Sequence, residues 1–196
     1  ISFKYNLEKE LLSDQDYKEQ LERGTKILDD YYEENNSDFN INTLTEYNFS
    51  SHNLHLDDIA ITGKIDKIEI LDPEVNLGQK SKIRLVDFKT GNPDSRYEDL
   101  KENGAYWRQI IFYKILCDLS TNFPYQATTG QIDFLEKSKR TKKFIKKEIP
   151  ITTEAIEETK NIIRLVNQQI KNLEFEKIDL CETCDTCPFK NICWKN

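Results

Sequence analysis

The chain has 196 residues, with 37% hydrophobic, 32% charged and 11% aromatic side chains, enough for one domain or a domain with a small appendage. A domain of this size buries roughly 70% of its unfolded surface and needs no staples, and no apolar run approaches the ~20 residues of a membrane span. The net charge of −7, from 28 basic and 35 acidic residues, excludes a protein that coats nucleic acid by bulk charge, but it leaves room for a local basic site. The start, from Ile1, lacks the form of a signal peptide, and the chain has no Met, so an excised piece of a longer protein is expected.

Residues 14–34 read as a helix, with Tyr17, Leu21, Leu28 and Tyr32 at helical spacing, Ser13 as its cap, and Gly24 marking close packing. Residues 43–50 read as a strand and 58–71 as a second, joined by the polar stretch 72–82 to a third at 83–89, which Thr90, Gly91, Asn92 and Pro93 stop. A helix is expected at 101–120, with Tyr106, Ile110, Tyr113 and Cys117 on one stripe. Two strands follow at 127–136 and 143–149. The last helix spans 154–173, with Thr153 as cap and Ile162, Val166, Ile170 and Leu173 as its apolar face. This order predicts a mixed α/β core.

The sharpest local feature is Val86-Asp87-Phe88-Lys89-Thr90-Gly91. Alternation along a strand points Asp87 and Lys89 the same way and Phe88 the other, into a core. Upstream, on the preceding strand, stands Gly63-Lys64-Ile65-Asp66. If the two strands are neighbours, Asp66 and Asp87 can share one oxygen-ligated cation, because Mg²⁺ keeps several waters and takes only one or two carboxylates. Lys89 could then orient a water or neutralise charge in a phosphoryl transition state. Isolated residues of these types are more often a cross-strand ion pair of little consequence.

Taken together, these residues resemble the RecB-like branch of the PD-(D/E)xK nucleases. That pattern is a Gly-x-x-Asp strand, an Asp-(Tyr/Phe)-Lys-Thr-Gly strand and a helix with Gln-x-x-x-Tyr, here Gly63 to Asp66, Asp87 to Gly91, and Gln109 with Tyr113. The resemblance covers most of the chain and implies a restriction-endonuclease-like core, a mixed central sheet flanked by helices, over 1–178, with a Cys-rich tail over 179–196. It implies Mg²⁺ or Mn²⁺ on Asp66 and Asp87, with the Phe88 carbonyl as a further ligand. Lys89 would serve as catalytic lysine, Gln109 and Tyr113 would border the site, and Glu46 would match the first-strand Glu. Such domains occur at the C-terminus of UvrD/Rep-like helicases and in AddB-like helicase–nucleases, so DNA end processing in repair or recombination is implied. One departure stands out. The family's first helix often carries a metal-binding His in a string like Arg-Gly-Thr-x-x-His, and the matching residues begin Arg23-Gly24-Thr25 and place Leu28 there. Both histidines, His52 and His55, read as solvated turn residues.

Four of the five cysteines, Cys181, Cys184, Cys187 and Cys193, lie within thirteen residues, which is unlike a disulfide framework and points to a reducing cytoplasm. Thiolates at this spacing suit zinc or an iron–sulfur cluster. The last three, with Pro188 and Phe189, look like the end of the AddB-type [4Fe-4S] motif, whose first ligand lies far upstream. Either Cys181 is the fourth ligand, or the fourth lies in sequence beyond this chain, or the thiols are free. Cys117 reads as a small core residue.

Between Lys137 and Lys147, seven of eleven residues are basic, among them Lys137, Lys139, Arg140, Lys142 and Lys143. This is either a solvated hairpin whose lysines deter edge pairing or a finger that tracks phosphates. The favoured expectation is a metal-dependent, exonuclease-type DNA nuclease acting on single-stranded or frayed DNA fed by a helicase motor. The rivals are a nuclease-like DNA-binding or docking platform without catalysis, and an interaction module centred on the Cys tail.

Overall fold

A computed structural model of the chain describes residues 3–74, 78–174, 184–185 and 187–194. It divides into two compact units, Ile1–Lys160 and Asn161–Asn196. In the first, a short helix α1 (Phe3–Leu7) leads to the long α2 (Asp14–Asn35). Ser13 caps α2, its Oγ accepting from the Asp16 N–H at 3.1 Å, as the sequence predicts. Gly24 is where α1 crosses α2: a Cβ there would stand 2.1 Å from the Phe3 ring.

The central sheet has five strands in the order β1-β4-β5-β6-β7. They are β1 (Thr43–Asn48), β4 (Lys64–Ile70), β5 (Ser81–Lys89), β6 (Tyr125–Phe134) and β7 (Lys146–Pro150). Only β5 and β6 run parallel, which requires a crossover, and α3 (Ala105–Leu119) supplies it after two single 3-10 turns. The core is aliphatic and aromatic, with Ile68, Leu85, Ile110, Ile132 and Phe134 fully buried. Helix α3 seats directly on the sheet because β6 offers it a hollow: a Cβ on Gly130 would lie 2.1 Å from Ile110 Cγ2.

The expected strand at 58–71 is instead two elements. Residues Leu54–Leu56 (β2) and Ile59–Ile61 (β3) form a separate antiparallel hairpin, and β4 begins only at Lys64. Asp57 turns the hairpin with φ 55°, a left-handed conformation that Asp tolerates better than most residues. His52 is likewise no solvated turn residue: it is half-buried, its Nδ1 is 2.6 Å from Ser120 Oγ, and its ring packs on Tyr47 and Phe49. His55 does stay exposed. On α2 the expected stripe holds at half-buried Tyr17 and Leu21 but shifts by one position toward the C-terminus, where Tyr31 and Asn35 are buried and Leu28 and Tyr32 are exposed. Helix α4 (Thr153–Lys171) is capped by Thr152, whose Oγ1 accepts from the Ala155 N–H at 3.1 Å, and not by Thr153. Of its expected apolar face, Val166, Ile170 and Leu173 are exposed. In the second unit a single turn, α5 (Lys190–Cys193), follows. Among the described residues no helix is long and apolar enough to cross a membrane.

The sheet separates two polar clusters. On the α3 face lie Asp66, Asp87 and Lys89. On the opposite face, Phe88 and its register partner Asp133 meet Tyr31 of α2. The Tyr31 hydroxyl donates to Asp133 Oδ2 at 2.6 Å, while buried Oδ1 accepts no hydrogen bond. Nearby, Glu69 is held by Lys67 at 2.7 Å and Arg84 at 3.2 Å. Burial, the largest cause, raises the Asp133 carboxyl above its ordinary value; the Tyr31 hydroxyl and then the charges of Lys146 and Lys67 pull the other way. A raised native value means that the folded state binds the proton more tightly than the unfolded one. Asp133 therefore costs no stability below the ordinary carboxylate value, and costs progressively more as pH rises through its native value. Urea titrations of Asp133→Asn and wild type across pH 3 to 8 should show the variant gaining relative stability as pH rises through that window. A constant difference would mean that Asp133 does not titrate abnormally.

Candidate active site

Strand pairing brings the two predicted aspartates together. β4 and β5 are antiparallel with Lys67 opposite Val86, and the same register continued by one step sets Asp66 beside Asp87. A backbone bond secures this: Asp66 Oδ2 accepts from the Phe88 N–H at 3.0 Å. Asp87 is 1% exposed, so its charge is expensive to bury unless partnered.

Its partners come from β5 and α3. Lys89, two residues on and therefore on the same face, places Nζ 2.7 Å from Asp87 Oδ2. Tyr113 donates its hydroxyl to Asp87 Oδ1 at 2.9 Å. Gln109, one turn earlier on α3, closes the ring: Lys89 donates to Oε1 at 2.7 Å, and Gln109 Nε2 donates to the Tyr113 oxygen at 2.9 Å. The spacing of four residues is what lets both side chains share this face. Tyr106, a turn before Gln109, offers its ring to the Lys89 ammonium at 4.6 Å.

The electrostatics of the ring are opposed. Burial, the largest cause, raises the Asp87 carboxyl above its ordinary value; Lys89 lowers it by hydrogen bond and charge, Asp66 raises it, and Tyr113 lowers it. Burial and the adjacent Asp87 also push the Tyr113 phenol upward, so it remains a donor at any ordinary pH. Asp87 Oδ2 is buried and faces the Lys89 ammonium at 2.7 Å as its ion-pair partner. A buried carboxylate oxygen held only by an ammonium, beside a second carboxylate, is a donor set that fits a hard divalent cation. Among the described residues, no group of three His, Cys, Asp or Glu side chains converges as metal ligands, so water or backbone would complete the shell.

Other predicted residues lie at the margin or elsewhere. Glu46, at φ 56° on β1, is exposed and pairs with Lys64, two residues before Asp66, rather than touching either aspartate. Leu28 is 41% exposed on α2, whose Tyr31 packs on the sheet face opposite Asp87. Its neighbour Asp30 pairs with Lys26 at 3.0 Å. Cys117 is buried, its thiol pushed up to about 12, chiefly by burial, as befits a core residue. Cys181 lies outside the described residues. Cys184 is buried, Cys187 and Cys193 are exposed, and among the described residues these three are not assembled as a ligand group for zinc or an iron–sulfur cluster.

The basic segment is an ordered turn. Ser138, 1% exposed, donates its Oγ to Asp94 Oδ1 at 2.7 Å and accepts from the Thr141 N–H at 2.9 Å. The Arg140 N–H bonds the other Asp94 oxygen at 3.1 Å, and the Ser138 hydroxyl, the leading cause, helps hold the Asp94 carboxyl below its usual range. Lys137 is occupied by Glu34 and lies over Phe144, which itself packs edge-on against Tyr31. Lys139, Arg140, Lys142 and Lys143 carry no ion pair among the described residues.

Sequence reading missed three contributors. Glu136, just past β6, accepts from the Gly91 N–H at 2.7 Å and from Arg23 at 2.8 Å, tying the end of β5 to α2. Asp94 anchors the basic turn to the loop that leaves β5. Tyr106 flanks Lys89; only its place on the Tyr113 stripe hinted at this.

Because Lys89 and Tyr113 act on one carboxylate and share Gln109, their contributions should be coupled. In a double-mutant cycle of Lys89→Met and Tyr113→Phe, read by denaturant unfolding, the effects should depart from additivity by about 0.5–3 kcal/mol. Additive effects would mean that the ring is two independent contacts.

Among curated proteins none matches the chain significantly. A solved structure described as "Crystal structure of SSO0001" superimposes with a TM-score of 0.45 at 16% identity, covering 92% of this chain and 74% of that one. The family model for the PD-(D/E)XK nuclease superfamily matches residues 4–194, nearly the whole chain. With two strand aspartates and a lysine gathered on one face of a mixed sheet, and a match of that extent, this chain belongs to the PD-(D/E)XK nuclease superfamily.

Proposed function

We propose that the chain is a metal-dependent deoxyribonuclease that hydrolyses phosphodiesters. The observation that carries this reading is the closed ring of Asp87, Lys89, Gln109 and Tyr113 with Asp66 alongside. Asp66 and Asp87 would hold Mg²⁺ or Mn²⁺, which when bound supplies Lewis-acid stabilisation of phosphoryl charge. The rest falls to the chain. Lys89, positioned by Asp87 and Gln109, presents an ammonium where negative charge develops on the phosphoryl oxygens. Tyr113 orients Asp87 and favours its ionised form by donating to it. Water adds to phosphorus in line, the ester P–O bond breaks, and the proton ends on the leaving oxygen.

The Asp87-to-Gly91 string with its Gly-x-x-Asp and Gln-x-x-x-Tyr partners supports placement in the RecB-like branch, as an exonuclease-type module serving a helicase in DNA repair or recombination. The second reading is a platform that binds DNA without cutting it. Leu28 favours it, since Leu cannot ligate a metal and, among the described residues, no carboxylate or imidazole joins the two aspartates in its place. Cleavage of end-labelled single-stranded DNA, with and without Mg²⁺ or Mn²⁺, separates the two. The nuclease reading expects cation-dependent products, reduced on the order of 100-fold or more in Asp87→Ala and Lys89→Ala. Intact substrate with folded wild-type protein would select the platform.

Lys139, Arg140, Lys142 and Lys143 would steer and hold phosphates. Replacing Lys142 and Lys143 together by Glu should weaken single-strand binding and flatten its dependence on salt, because fewer counterions are released. Unchanged affinity and slope in a fluorescence-anisotropy titration would remove the turn from the DNA path.

A further inference from the structure

Two cavities of about 540 and 640 Å³ lie beside the basic turn. Both are walled by Tyr97, Leu100 and Ile145, so they are adjacent, and together they are treated as one groove. Pro93 and Asp94, on the loop that leaves β5 after Lys89, line one cavity, and Trp107 and Pro150 line the other. The Ser138–Asp94 bond fastens the basic turn along this edge.

Tyr97 is the unusual residue. It is 67% exposed, and it stacks on no aromatic ring among the described residues. The Lys101 ammonium lies 4.7 Å from its ring centroid, held there by Glu98 at 2.7 Å. An exposed aromatic over an apolar floor suits a flat, apolar-faced ligand. The charge around it suits a polyanion. Arg140 and Lys147 line the groove, Lys142 and Lys143 extend the same turn, and none of the four has an ion-pair partner among the described residues. The acids nearby are mostly engaged: Asp94 by Ser138 and the Arg140 N–H, Glu98 by Lys101, and Glu148 by Arg84 at 3.6 Å, leaving Glu102 at the far rim. The groove's own lining is balanced, Lys101, Arg140 and Lys147 against Asp94, Glu102 and Glu148, and the excess of positive charge comes from Lys139, Lys142 and Lys143 on the adjoining turn.

Single-stranded DNA combines both chemistries, stackable faces and a phosphate track, whereas a duplex hides its base faces. We propose that this groove seats an unpaired base of single-stranded DNA against Tyr97, with its flanking phosphates on Arg140, Lys142, Lys143 and Lys147. The inference rests on the reading of the chain as a protein that acts on DNA. It adds where the strand is gripped and why an unpaired strand is preferred.

The test is equilibrium binding of a fluorescent oligodeoxynucleotide to the full chain by anisotropy, in EDTA so that nothing is cut, over a salt series. Tyr97→Ala should weaken binding on the order of ten-fold without altering the salt slope, because it removes a stacking face and no charge. Tyr97→Phe keeps the ring and should bind as wild type does. On an oligonucleotide abasic throughout, wild type and Tyr97→Ala should bind equally. Because Tyr97 is exposed, its variants should keep the wild-type unfolding midpoint, which verifies that any loss is local. Wild-type affinity in Tyr97→Ala, or an equal loss in Tyr97→Phe, overturns the groove and leaves the DNA reading standing. A wild-type chain that binds no strand at all overturns both.

Discussion

The candidate site depends on the burial of one carboxylate. Asp87 sits almost wholly out of water at the end of a central strand, where its ionised form is disfavoured by desolvation and by Asp66. Lys89 and Tyr113 offset that cost, and Gln109 holds both in place. Remove the helix that carries Tyr113 and Gln109, and the aspartate loses half of its support. The seat of α3 on the sheet is thus part of the site's electrostatics. Gly130 matters for the same reason, because a side chain there would lift the helix away from the strands that bear the aspartates.

The other face of the sheet repeats the theme with a structural outcome. Asp133, buried behind Phe88, takes a bond from Tyr31 and so couples α2 to the strand next to the one that bears Asp87. Glu69 is shared by Lys67 and Arg84. The sheet therefore carries charge on both sides, and its strand ends are tied down by long-range side-chain bonds: Glu136 to Gly91 and Arg23, and Asp94 to Ser138. These ties fix the loop that leaves β5 and the basic turn beside it. A loop that must meet a substrate repeatedly in one geometry gains from such anchoring.

Membership of the PD-(D/E)XK nuclease superfamily accounts for the sheet face and its lysine. The chain departs from the helicase-associated pattern at Leu28, and α2 here packs through Tyr31 onto the side of the sheet away from Asp87. Catalysis would then rest on two carboxylates, which suits a cation that keeps much of its water.

What could be read from the sequence was what short-range geometry controls. Alternation in β5 places Asp87 and Lys89 on one face, the four-residue step from Gln109 to Tyr113 places both on one stripe, and Ser13 announces a helix start; each follows from a local period or cap. The failures have a common origin. The apolar pattern of α2 cannot distinguish Tyr31 from Tyr32, because the choice is made by Asp133, about a hundred residues away in the chain. Nothing local marks Asp57 as a turn that splits the expected strand into a hairpin and β4. Nor does local sequence show that Ser138 grips Asp94, that Glu136 grips Gly91, or that Tyr97 and the basic turn face one groove. The sequence by itself determined the chemistry available and its order along the chain. Tertiary structure decided which charges lose water and which partners they meet, because desolvation and side-chain bonding depend on neighbours that only the folded sheet and its crossover helix bring together.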